Sequence, residues 1–277
     1  MINIIIGKNS NLSKLLKKTI DNSYLVSSQQ VEEDLNALNL IDKSINIIFN
    51  NFQVSTKLND LSNPAEYINR SIMTTANVLN YIRHNALSIN KIIYTSSSSV
   101  YGNNEFCSEL DPLQPLSLHS SLKIANERLI ESFSIENRID YTITRIFNMY
   151  GGDDHFSIVS KIVHAYRRDE TLNIFNHGTA TRDFIHIYDV IKVYSTILNR
   201  VNIPILNIGR GIEMSVSELL SFLKDNGIYI KTQSKSRNEL KKSTANVSKL
   251  LNIMGNNMEF IQIKKFLLKE IKENSAI

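Results

Sequence analysis

The run KIIYTSSSSVY, residues 91–101, decides how this chain is read. Ile92, Ile93 and Tyr94 suit a buried strand, and the serines at 96–99 crowd small hydroxyls at its carboxyl end. Open parallel sheets gather their ligands at that end of the strands. Beyond a loop comes LHSSLKIANERLIESF, residues 118–133, which has the apolar spacing of a helix. His119 and Lys123 stand four apart there, so both side chains share one helical face. A hydroxyl, an imidazole and an ammonium are therefore expected to converge.

Working outward, the segments before this run alternate strand and helix. Residues 2–6 are an apolar strand ending at Gly7, and Leu12, Leu15, Leu16 and Ile20 recur at helical spacing. A short strand at 23–26, a helix at 30–40, a strand from Ile45 and a helix at 65–83 follow. After the helix carrying Lys123 comes the strand YTITRIF, residues 141–147. This alternation predicts an α/β fold, a Rossmann-like doubly wound parallel sheet with right-handed crossovers.

Past Tyr150-Gly151-Gly152 the pattern loosens into a helix at 156–168, an apolar run at 172–175 and the polar loop HGTATRD, residues 177–183. The segment IPILNIG at 203–209 reads as a strand, SVSELLSFLKDNG at 215–227 as a helix opening on a serine cap, and the last thirty residues as two helices. A boundary falls near residue 152, with some later segments, about 182–200, returning to the first domain.

The 277 residues suffice for one large domain or a domain with a lobe, and 42% are hydrophobic, enough for a core. The net charge of +4 is spread among acids, apart from a short KSRNELKK run, and no nucleic-acid module is visible. Cys107 is the only cysteine and the histidines are scattered, so neither a disulfide within the chain nor a metal centre is expected. The chain opens on a strand and no stretch reaches membrane-spanning length, which predicts a cytoplasmic protein with no membrane partner.

The turn after the first strand reads GKNSNLS, residues 7–13. Dinucleotide-binding turns use three glycines so that backbone N–H groups approach a pyrophosphate. Here Gly7 is present, while Ser10 and Ser13 occupy the second and third glycine positions, and an ordinary βα turn is an equal reading. The acid that would hold an adenosine ribose is also missing, because the second strand ends in Val26, Ser27, Ser28 and Gln29. Without a carboxylate to repel a 2′-phosphate, and with Lys8 at hand, the choice between NAD and NADP tilts toward NADP.

These segments together resemble the extended short-chain dehydrogenase/reductases, in particular the NAD-dependent epimerase/dehydratase family that works on nucleotide-diphosphate sugars. The likeness rests on IIYTSSSSVYG at 92–102, the helix with Lys123, TRIFNMYG at 144–151, HGTATRDFIHIYDV at 177–190, LNIGRG at 206–211 with the following SVSELL, and the stretch from Arg237 through ANVSKLL. It implies a dinucleotide-binding domain over residues 1–152, with Gly7, Ser10, Ser13 and Lys123 toward the cofactor. A smaller C-terminal α/β substrate-binding lobe is implied over most of 153–277.

The resemblance also implies that Ser97 is the catalytic hydroxyl and that Lys123 binds the nicotinamide ribose and lowers the pKa of a neighbouring base. Asn148, Arg182 and Arg237 fall where similar proteins contact the substrate diphosphate, a task that suits forked guanidinium groups. For these residues quieter roles remain open: a strand-end serine satisfying a turn, an Arg182–Asp183 pair, and a solvated charge at Arg237. Tyr101 and Tyr150 are expected to pack in the core.

One position departs from the family. His119 stands where the family has its catalytic tyrosine, four residues before the lysine. An imidazole is shorter than a phenol and titrates nearer neutrality, with Lys123 expected to push it toward its neutral form. His119 is the acid/base, or Ser97 or the substrate handles the proton, or the chain has lost catalysis and keeps sugar-nucleotide binding. The implied activity is a nucleotide-sugar oxidoreductase or isomerase of epimerase, dehydratase or 4-keto reductase type, serving surface polysaccharide synthesis. Similar proteins pair through two helices per subunit into a four-helix bundle, here the helix before residue 85 and the one carrying Lys123, so a homodimer is implied.

Overall fold

Gly7 ends the first strand, and the chain then repeats strand, turn and helix up to residue 146. The structure, a computed structural model, describes residues 1–50, 61–255 and 258–273. Its first half contains β1 (Ile2–Ile6), α1 (Asn11–Thr19), β2 (Ser23–Val26), α2 (Val31–Asn36), β3 (Ile45–Phe49), α3 (Pro64–Ile68), α4 (Thr74–His84), β4 (Ile89–Ser97), β5 (Phe106–Cys107), α5 (Leu118–Asn137) and β6 (Asp140–Ile146). The second half adds β7 (Asn148–Tyr150), α6 (Ile158–Arg167), β8 (Leu172–Phe175), β9 (Thr181–His186), α7 (Ile187–Ile197), β10 (Ile205–Ile208), β11 (Glu213–Ser215), α8 (Val216–Asp225), β12 (Thr232–Lys235), β13 (Lys242–Ala245), α9 (Ser248–Met254) and α10 (Ile263–Glu273).

Six strands form the main sheet in the order β2-β1-β3-β4-β6-β10. β1 pairs in parallel with β2 and β3, and β3 with β4. Strands buried on both faces read as continuous apolar runs, and every residue of β3 is buried. The core between this sheet and its helices holds Ile4, Ile47, Val78, Ile92 and Ile130. The order reverses between β1 and β3, as the doubly wound expectation requires.

Two compact units divide the chain. The first comprises residues 1–100, 112–145 and 191–206, and the second residues 101–111, 146–190 and 207–277. The chain therefore passes between units several times, and most of α7 belongs with the first sheet. There Tyr194 of α7 shares 2.7 Å hydrogen bonds with Thr95 and Thr144, beneath β4 and β6.

In the second unit β9 is the hub. It pairs in parallel with β7 and β13, and antiparallel with β11. Asp183 explains why this sheet holds. Its carboxylate accepts the backbone N–H groups of Arg210 and Gly211, at 2.8 Å each, and of Ala245 at 3.2 Å. A Cβ at Gly209 would lie 2.6 Å from Asp183 Oδ2, so only glycine fits in LNIGRG. The core of this unit gathers Val159, Ile162, Leu219, Leu223 and Leu267.

Helix starts follow their caps. Ser117 and Ser120 form a reciprocal box at α5, and Ser215 with Glu218 does the same at α8, so the predicted serine cap there is present. The helix expected as one piece at 65–83 is α3 and α4 joined by a wider turn at 69–73. Among the described residues, no helix is long and apolar enough to cross a membrane.

Candidate active site

β4 ends at Ser97 and α5 packs against it, which settles where the first three candidate residues lie. Lys123 is buried, and its Nζ donates to the carbonyl of Thr95, two residues before Ser97, at 2.8 Å. The same ammonium stands 5.0 Å from the centre of the Tyr94 ring. Burial lowers its pKa to about 7, against the nearby Glu127 carboxylate, which raises it. His119 lies one helical turn earlier on the same face. Burial first, and the Lys123 charge second, lower the imidazole to about 4. Both effects favour the neutral imidazole, with desolvation as the larger cause. Ser97 is half-buried at the strand end, where its Oγ accepts the Ser99 N–H at 3.2 Å.

A charged pair lies under this group. Arg145 of β6 and Glu127 of α5 make a forked pair at 2.8 and 3.2 Å, with both side chains under 5% exposed. The Glu127 carboxylate also accepts the Ser96 hydroxyl. One buried acid therefore ties α5, β4 and β6 together beside Ser97 and Lys123. The sequence reading stopped at the 119/123 spacing. The signal it passed over was the next i,i+4 step on that face, which is Glu127.

At the glycine turn, Gly7 has φ +101, in the region that favours glycine. Neither serine hydroxyl serves the helix in the usual way. Ser10 stands at the N-cap of α1 without a side-chain capping bond. Instead the fully buried Asn50, at the end of β3, donates to Ser10 Oγ at 3.0 Å and to Ser13 Oγ at 2.8 Å. Both hydroxyls thus answer to a side chain beneath the turn, and each keeps its own proton to donate.

The reading of Lys8 as a charge available to a ligand needs correction. Lys8 Nζ lies 3.7 Å from Asp34 of α2, and the same carboxylate oxygen accepts the Ser27 N–H at 2.6 Å. An acid absent from the strand end in sequence has been brought there by the following helix.

In the second unit, Asn148 of β7 donates to the Asp183 carbonyl of β9 at 3.1 Å, next to Arg182. Arg182 does not pair with Asp183, whose carboxylate is spent on backbone amides. It donates to the Thr181 carbonyl at 2.8 Å and meets Glu239 at 3.3 Å. Asn176 joins this group, donating to Glu239 at 3.0 Å and to the Arg237 carbonyl at 2.6 Å. The exposed Arg237 guanidinium lies 5.0 Å from the Phe175 ring centre. Tyr101 and Tyr150 pack in the core: the first bonds Asn207 at 2.7 Å and the second bonds the Ile261 carbonyl. Among the described residues no group of three or more His, Cys, Asp or Glu side chains could hold a metal.

The model of the NAD dependent epimerase/dehydratase family matches residues 14–209. The chain belongs to that family. Among its relatives, Protein CapI of Staphylococcus aureus is 32% identical over 52% of the chain and 44% of its own length. Human dTDP-D-glucose 4,6-dehydratase is 31% identical over 50% of the chain and 41% of its own length. The matched stretch therefore spans under half of these relatives. The solved structure of MoeE5 in complex with UDP-glucuronic acid and NAD covers 100% of each chain with a TM-score of 0.84 at 23% identity, which shows the shared fold.

A dinucleotide fits the turn of this family member on one observation. The serines that replace glycines carry their hydroxyls to Asn50, so the extra atoms are taken up inside the protein. Gly7, Ser10 and Ser13 would hold the diphosphate there, and Lys123 the ribose nearer the reacting ring. Of the residues that sequence reasoning missed, Asn50 and Glu239 act through partners far away in the chain, Asp34 through Ser27 and Lys8 on neighbouring elements, and Glu127 both through Arg145 and along its own helix face.

Proposed function

We propose that this protein is an NAD(P)-dependent enzyme acting on nucleotide-diphosphate sugars, of the epimerase, dehydratase or 4-keto reductase type, which supplies a sugar for surface polysaccharide. The first unit is its dinucleotide-binding part and the second its sugar-nucleotide-binding part. The observation that carries this reading is the buried Lys123, fixed on the Thr95 carbonyl two residues before Ser97, with His119 one turn earlier on the same helix. Family membership supports it, as do a relative named as a dTDP-glucose dehydratase and a fold neighbour holding UDP-glucuronic acid and NAD.

A bound nicotinamide dinucleotide supplies the acceptor for a hydride from a hexose carbon. The chain's own work is to manage the proton. Ser97 hydrogen-bonds the hydroxyl oxygen of the sugar, and His119, with a free nitrogen lone pair, accepts the proton released there, directly or through one water. Lys123 supplies a nearby positive charge that disfavours imidazolium and so returns the proton readily. Asn148, Arg182 and Arg237 take the substrate diphosphate, for which Arg182 exchanges its bond to Glu239.

The second reading, a protein that binds nucleotide sugars without turning them over, is favoured by the imidazole at the tyrosine position. The test is to denature the purified protein, look for a released nicotinamide dinucleotide, and follow nicotinamide absorbance with a panel of UDP- and dTDP-sugars. Bound dinucleotide and conversion of a sugar nucleotide to product are expected, with net nicotinamide oxidation only for a reductase. Binding of sugar nucleotide without turnover would select the second reading, and failure to bind any dinucleotide would end the first.

A further inference from the structure

We infer that Ser96 and Glu127 are positioning residues, a rung between β4 and α5 that aligns the Ser97 hydroxyl with His119 and Lys123. This rests on the enzyme reading of the site, and it adds two residues that lie behind the reacting groups. Thr95, Ser96 and Ser97 are the last three residues of β4, and each is put to a different use. The Thr95 carbonyl accepts Lys123 Nζ at 2.8 Å, and the Ser96 hydroxyl donates to Glu127 Oε1. Lys123 and Glu127 are one turn apart on α5, so successive turns of the helix hold successive residues of the strand. Ser97 comes next, and its hydroxyl is the one the proposed chemistry uses.

Side chains alternate across a strand, and here each face is pinned separately. The Thr95 hydroxyl meets Tyr194 of α7 at 2.7 Å on one side, while Ser96 meets α5 on the other. Arg145 of β6 fixes the far end of the rung through bonds of 2.8 and 3.2 Å to the Glu127 carboxylate. Ser96 and Glu127 are both buried, so water does not replace their bond when it is lost. The hydroxyl is not needed to neutralise the acid, because the fork to Arg145 does that. Alignment of the strand end is then what the rung contributes. Among the described residues, Ser97 Oγ has only the Ser99 N–H, at 3.2 Å, so its placement depends on how the two residues before it are held.

The test is steady-state kinetics of Ser96→Ala and Ser96→Thr in the full chain, followed by formation of the sugar-nucleotide product, beside calorimetric binding of the same sugar nucleotide and urea unfolding. Ser96→Ala keeps the Glu127–Arg145 fork, so its urea midpoint should stay close to that of the wild type. Binding of the sugar nucleotide should stay within about twofold, because the lost bond belongs to the reacting step. Its kcat should fall about 10–10²-fold, since a small misplacement of a reacting group is costly in rate. Ser96→Thr retains the hydroxyl and suits a strand, and should recover kcat to within about threefold of wild type. Wild-type kcat in Ser96→Ala, or a loss of sugar-nucleotide binding in place of kcat, would overturn the inference and leave the enzyme reading intact. A wild type that binds sugar nucleotides without turning them over would overturn both.

Discussion

His119 is where the chemistry of this chain must differ from that of a tyrosine enzyme. Its imidazole is lowered to about 4, so near neutral pH it is almost wholly unprotonated and ready to accept a proton. Replacement by Phe keeps a ring of similar bulk and removes both nitrogens. A fall in kcat of about 10²–10⁴ is expected, with KM nearly unchanged, because the lost interaction belongs to the proton in flight. His119→Tyr should retain more activity than His119→Phe, since it restores a hydroxyl within reach of the Lys123 charge. Equal kcat in wild type and His119→Phe, measured by formation of the sugar-nucleotide product, would remove His119 from the proton path. At this scale the sequence was informative for residues related by local spacing. The 119/123 pair stands on one face because a helix requires it. Asp34, by contrast, reaches Ser27 only because α2 folds back over the end of β2, and no period in the sequence encodes that.

The element that holds the site is α5, and its anchor is the Glu127–Arg145 pair. Both groups are nearly inaccessible and their forked bonds, with the Ser96 hydroxyl, satisfy most of the acid's acceptor sites. Breaking a buried pair strands a charge, at a cost of about 3–5 kcal/mol, whereas replacing both partners by apolar groups is often close to neutral. Glu127→Met and Arg145→Leu should therefore each destabilise strongly in urea unfolding. The double variant should lose far less than the sum, and strict additivity would show that the pair does not act as a unit. The main sheet was legible because its strands are continuous apolar runs separated by amphipathic helices. The short strands β5, β7, β11, β12 and β13 were not, since two to four residues carry no measurable period and their pairing is decided by distant partners such as Asp183. For the same reason the second unit's contributions from 101–111 and 146–152 escaped a boundary drawn at one point in the chain.

On the scale of the whole molecule, the buried bases leave a signature in how stability depends on pH. Lys123 is 4% exposed and titrates at about 7 when folded, far below an unfolded lysine, while burial also lowers Lys91. A base whose folded pKa is depressed adds stability that is fully present above its unfolded pKa and is lost as pH falls through the folded value. For Lys123 that window runs from about 10.4 down to about 7. His119 contributes in the same sense lower down, from its ordinary 6.5 to about 4. Asp183 opposes them, because burial raises its pKa, and on the alkaline side the buried Cys107 thiol, pushed up to about 12, partly offsets the lysines. Between pH 7 and pH 9 the unfolding free energy should thus rise by about 2–3 kcal/mol, at about 1.4 kcal/mol per pH unit for one lysine. Urea titrations at several pH values measure this directly. Lys123→Met retains the buried stem without the charge, so it should be more stable than wild type at pH 7 and lose most of the slope between the two pH values. A slope that survives this substitution would mean that Lys123 is not held in the desolvated position from which its lowered pKa, and its role beside His119, both follow.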